Sequence, residues 1–69
     1  MKLNERRYKL IHRRVLDPIK TATITQHGES FRNYVFDGYT AYLLNVTDSL
    51  DDAMEWTNEY QVEHQRRSS

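Results

Sequence analysis

The sequence predicts an α+β domain, a three- or four-stranded antiparallel β-meander with one C-terminal amphipathic helix packed on one face. Two observations carry this. Asp37-Gly38 separates two runs rich in aromatic and β-branched residues, 33–36 and 39–44, as expected of a hairpin. From Asp48 to about Arg66 apolar residues recur at helical spacing behind a group of capping side chains. At 69 residues the chain makes a single small domain, 1–69, with loose ends expected at 1–5 and 66–69.

The first element is the least clear. Drawn as a strand, 6–16 places Tyr8, Leu10, His12 and Leu16 on one side and Ile11 and Val15 on the other. Drawn as a helix, Leu3, Tyr8, Leu10, Ile11 and Val15 span a wide arc interrupted by Arg7 and Arg14. A strand over 7–15 is favoured, ended by Asp17-Pro18, whose proline restricts the residue before it. A helix in its place is the main alternative. A second strand, 20–26, is carried by its threonines and Ile24, and stops at a turn centred on Gly28.

The hairpin follows, with strands at 31–36 and 39–46. A two-residue type I′ turn at Asp37-Gly38 sets Phe36 opposite Tyr39, Tyr34 opposite Ala41 and Asn33 opposite Tyr42. One face then carries Tyr34, Phe36, Tyr39, Ala41 and Leu43, and the other Phe31, Val35, Tyr42, Leu44 and Val46. Both are partly apolar, whereas a sheet with one wet side alternates more cleanly. The helix, 48–65, opens on Thr47, Asp48 and Ser49, whose side-chain oxygens accept from the first helical N–H groups, with Asp51 and Asp52 in its first turn and Arg66 and Arg67 at its far end. Leu50, Ala53, Met54, Trp56, Thr57, Tyr60, Gln61 and His64 form the inward stripe, opposite Asp51, Asp52, Glu55, Glu59 and Glu63.

Composition narrows the functions. Leu, Ile, Val and Phe number 15, just above the share of ~20% below which disorder is expected, so a deep enclosed active site is hard to build. With no cysteine, a disulfide framework, a zinc finger, an iron–sulfur site and a thiol nucleophile drop out. No apolar run approaches the ~20 residues of a membrane helix, and residues 1–7 start basic without entering an apolar stretch. The expected compartment is the cytoplasm.

His12, His27 and His64 show no metal-ligand spacing, and no Gly-x-Ser-x-Gly, Walker loop or dinucleotide-type glycine pattern occurs. Ser30 lies near His27, but the pair has no further support. The expectation is a non-enzymatic protein without metal or cofactor.

Charge is zero overall yet uneven. Residues 1–36 carry eight bases against three acids, and 37–69 carry two bases against seven acids. The plain reading is two halves that complement each other on packing. A sharper one gives Arg6, Arg7, Lys9, Arg13 and Arg14 to nucleic acid, with tyrosines stacking on bases. A weaker one makes the acidic stripe around Glu55 and Glu59 a mimic of nucleic-acid phosphates. A solvated helix face is the simpler explanation of that stripe and is favoured.

Aromatic residues say more. Tyr34, Phe36, Tyr39, Tyr42, Trp56 and Tyr60 fall within 27 residues, and one helix covers only one face of a sheet. An uncovered apolar face marks an interaction site. The expected contacts are Phe31, Val35, Tyr42 and Leu44, on the face opposite the one assigned to the helix. The expected function is a small regulator, adaptor or inhibitor, of the kind a phage or mobile element encodes. It docks onto another protein or onto itself as a homodimer.

Overall fold

The computed structural model describes residues 8–68. Four strands, β1 (Lys9–Val15), β2 (Thr21–His27), β3 (Ser30–Phe36) and β4 (Ala41–Thr47), precede one helix, α1 (Leu50–Ser68). The sheet is an antiparallel meander in the order β1-β2-β3-β4, and α1 packs across β2, β3 and β4. The first segment is therefore a strand and not a helix. The helix continues through 66–68, past its expected end, with Glu63 paired to Arg66 and Arg67. The loose ends expected at 1–5 and 69 lie outside the described residues.

Two hairpin loops at one end of the sheet share a device. Asp17 Oδ1 accepts the backbone N–H groups of Ile19 and Lys20, each at 2.7 Å. Asp37 Oδ1 accepts those of Tyr39 and Thr40 at 3.0 and 2.9 Å. An aspartate folding back on the chain two and three residues later is a local substitute for a backbone turn. The second loop is thus longer than the two-residue turn expected. Phe36 pairs with Ala41, not Tyr39, and Val35 with Tyr42. Only Gly38, at φ 98°, takes positive φ there, and a type I′ turn needs two such residues.

Both edge strands bulge. The register shifts between Leu10 and His12 on β1, and on β4 Leu44 is the extra residue between the partners of Asn33 and Tyr34. Bulges on both edges twist them away from regular pairing and discourage edge-to-edge association.

The core lies between the sheet and α1 and is thin. Ala22, Ile24, Val35 and Ala53 are its fully buried apolar residues among those described, joined by Asn33 and Thr57. Ala53 and Thr57 are one turn apart, small enough to let the helix settle close to β3. Asn33 Nδ2 donates to the Ala53 carbonyl at 3.4 Å and to Asn45 Oδ1 at 3.3 Å. Ser49 caps the helix, its Oγ accepting the Asp52 N–H at 3.2 Å.

The helix is tied to the first hairpin at two points. Arg14 donates to Asn58 Oδ1 at 2.6 Å and Gln61 Oε1 at 3.0 Å. His64 Nε2 lies 2.8 Å from Asp17 Oδ2. The sequence placed His64 on the inward stripe but gave no sign of its partner, which is 47 residues away in the chain.

Candidate docking surface of the sheet

Cross-strand partners share a face, so the register sorts every strand residue. Under the helix lie Arg14, Ala22, Val35 and Tyr42 in one row, and His12, Ile24, Asn33 and Asn45 in the next. The opposite, helix-free face has three rows. Val15, Thr21, Phe36 and Ala41 form the first; Arg13, Thr23, Tyr34 and Leu43 the second; Leu10, Thr25, Arg32 and Val46 the third.

This inverts the expected interface. Val35, expected to be open, is 4% exposed beneath the helix, and Phe31 on the same face is half-buried. Tyr42 shares that face but stays half exposed on the edge strand. Leu44, the bulged residue, is partly buried. The division of the hairpin into two faces holds as far as Leu43. Beyond it the bulge moves Val46 to the opposite face, and the helix takes the side expected to be free.

The physical reason sits in β2. Its residues alternate Ala22, Ile24 on one side against Thr21, Thr23, Thr25 on the other; burial of Ile24 is favourable, whereas a hydroxyl is buried without cost only where it is bonded, as Thr25 is to His27. Matching Ala22 to Val35 across the Gly28 turn identifies the core side, and that signal was present in the sequence.

The helix-free face is apolar at both edges and threonine-floored in between. Leu10, Val15, Phe36, Leu43 and Val46 are 44–63% exposed. A depression of about 310 Å³ crosses the middle, lined by Tyr8, Thr23, Thr25, His27, Tyr34 and Ala41. At its rim Tyr8 stacks on His27, ring centroids 5.2 Å apart. His27 Nε2 is 2.8 Å from Thr25 Oγ1, so the sequence neighbour Ser30 is not the partner recorded for it. Partial burial, and then the Arg32 guanidinium, hold the His27 imidazole below its usual pKa. Arg32 reaches along the face to donate to Tyr34 Oη at 3.3 Å.

The face carries Arg13 and Arg32 and no carboxylate in its three rows. The acids Asp51, Asp52, Glu55, Glu59 and Glu63 are exposed on the outer side of α1. Of the five bases considered for nucleic acid, the three among the described residues do not share one face. Arg13 lies on the open face, Lys9 and Arg14 are in register with the helix side, and Arg6 and Arg7 lie outside the described residues. Arg14 is engaged by α1.

Among the described residues no group of three His, Asp or Glu side chains is arranged to hold a metal ion. No helix there is long and apolar enough to cross a membrane. Neither a protein-family model, nor a curated protein, nor a solved structure matches the chain.

Proposed function

We propose that this chain is a small non-enzymatic binding protein of the cytoplasm, a regulator, adaptor or inhibitor that docks onto a protein partner with the helix-free face of its sheet. The supporting observation is the concentration of five half-exposed apolar side chains, Leu10, Val15, Phe36, Leu43 and Val46, on that single face. Apolar side chains gathered on one face in this way are costly to leave in water and mark a contact site. Tyrosine, phenylalanine and arginine beside it are the side chains interfaces favour.

The test is a tagged chain presented to host lysate after nuclease treatment, compared with Leu43→Arg and with the helix-side control Glu55→Lys. The expected result is a partner bound by the native chain and by Glu55→Lys but lost with Leu43→Arg, all three giving the same far-UV circular dichroism. Capture lost with Glu55→Lys and kept with Leu43→Arg overturns the assignment of the face.

A second reading rests on the Tyr8–His27 stack beside Arg13 and Arg32, with no carboxylate in the rows. Such a surface suits single-stranded nucleic acid, phosphates meeting guanidinium groups and bases meeting rings. The two readings separate on charge. An added arginine at Leu43 strengthens nucleic-acid binding and destroys an apolar protein contact. Nucleic-acid affinity also falls with salt at a log–log slope of about −0.7 per phosphate contact.

A further inference from the structure

Resting on the docking face just proposed, we infer that its occupant is a second copy of this chain, the two sheets stacked face to face about a two-fold axis parallel to the strands. The axis runs between β2 and β3, so that β1 of one copy lies over β4 of the other and β2 over β3.

Self-complementarity along the rows selects this arrangement. With the axis parallel to the strands, each row meets its own row reversed. Thr21 then faces Phe36 of the second copy and Thr23 faces Tyr34, small against large, while Thr25 is already covered within its own chain. Leu10 faces Val46, and Val15 faces Ala41, apolar on apolar. Arg13 faces Leu43, its aliphatic stem covering the leucine and its guanidinium reaching the rim. Alternation of large and small is how facing sheets interdigitate at ~10 Å separation.

The competing two-fold, perpendicular to the strands, stacks each strand on itself. It sets Arg13 on Arg13, Tyr34 on Tyr34 and Thr23 on Thr23, which opposes like charges and leaves voids over the threonines. Aligned sheets cross at about −30°, which loosens the corners of the grid but keeps Thr23 over Tyr34 near the axis.

Area and core size agree. Four strands of seven residues make a face of about 19 by 23 Å. Two such faces remove about 900 Å² in plan, below the roughly 1,200–2,000 Å² of stable interfaces and in the range of weak, concentration-dependent association. The described fold buries only four apolar residues fully, and small domains commonly supplement so thin a core by association. The bulged edge strands direct association to the face and away from the edges.

The experiment is sedimentation equilibrium from about 1 μM to about 1 mM, a span set by the affinity of modest interfaces, on the native chain and three variants. Leu43→Arg, which confronts Arg13 of the second copy with like charge, is expected to weaken the dimer at least about tenfold. Arg13→Glu added to Leu43→Arg restores it, and Leu43→Glu alone is tolerated because it meets Arg13. Isotope-filtered NMR on a mixed labelled and unlabelled sample is expected to show Leu10 methyls against Val46 methyls. Within one chain these lie on opposite edge strands, about 14 Å apart.

A mass of one chain throughout that range overturns the dimer, while partner capture abolished by Leu43→Arg leaves the docking reading standing. A dimer indifferent to Leu43→Arg, in a variant with native circular dichroism, overturns this face as the dimer contact, and the docking reading falls with it only if partner capture is indifferent to Leu43→Arg as well. A dimer weakened by Leu43→Arg but not restored by Arg13→Glu, and lacking the Leu10–Val46 contact, overturns the two-fold.

Discussion

Asp17 joins more of the molecule than any sequence motif marked. Its carboxylate accepts two backbone N–H groups in its own loop and faces His64 from the end of the helix. Beside the pair stand Lys20, Tyr60, Glu63 and Arg67. The N–H groups of Lys20 and then Ile19 hold the Asp17 carboxyl below its usual value, against the opposing effect of burial, and the His64 contact lowers it by less than either N–H group does. A carboxyl depressed in the folded state contributes stability that is complete above its unfolded pKa of about 3.9. That contribution is lost as pH falls from there through the folded value. Asp17→Asn is therefore expected to be less stable than the native chain at pH 7 and to converge on it in acid. Urea unfolding followed by Trp56 fluorescence at neutral pH and at about pH 3 measures both. A constant difference across that range would remove Asp17 from the acid sensitivity. His12 makes a different case. Its Nε2 is buried without a recorded partner, and a group in that condition lowers stability.

At the scale of elements, turns and bulges decide the geometry of the face. Gly38 has φ 98° and Gly28 φ 64°. The second lies in the left-handed region that asparagine tolerates, with nothing within 4 Å of a Cβ placed there. The first lies beyond it, and its Cβ would meet Ile19 Cγ2 at 3.4 Å. Gly38→Ala is expected to cost about 1–2 kcal/mol, whereas Gly28→Asn costs only a few tenths of that. Equal losses in thermal unfolding would show that the Asp37 loop relaxes to accept a side chain. The bulge at Leu44 has a further effect, since it carries Val46 onto the open face beside Leu43. Without it β4 would present Val46 to the helix side, and the apolar edge of the docking face would end one row earlier.

For the whole molecule, stability rests on few residues. Globular chains hold roughly 0.05–0.15 kcal/mol per residue, which gives about 3–10 kcal/mol here. Ile24 is fully buried at the centre of the sheet. Ile24→Ala is expected to remove about 3 kcal/mol, enough to populate the unfolded state at low concentration. If the face-to-face dimer forms, raising protein concentration restores part of that loss by mass action. A melting temperature of the variant that does not move with concentration counts against stabilisation by association.

The order of β2, β3, β4 and the helix was legible because it is local, while the first segment stayed open between strand and helix. Asp-led loops, the threonine-rich β2, the aromatic hairpin and the capped, two-sided helix each declare themselves within a dozen residues. Even the core side was written in the alternation of Ala22 and Ile24 with three threonines, which weighs more than the aromatic hairpin because unpaired buried hydroxyls cost more than exposed rings. Two features needed the tertiary structure. The Leu44 bulge depends on how β4 meets β3, and the His64–Asp17 contact on where the helix ends over the first hairpin. Each is a relation between segments apart in sequence, whereas Arg13 and Arg14 part by the alternation of a strand alone. A one-residue change of register moves a side chain to the other face at no local cost, so only packing of the assembled layers decides which residues are left facing outward.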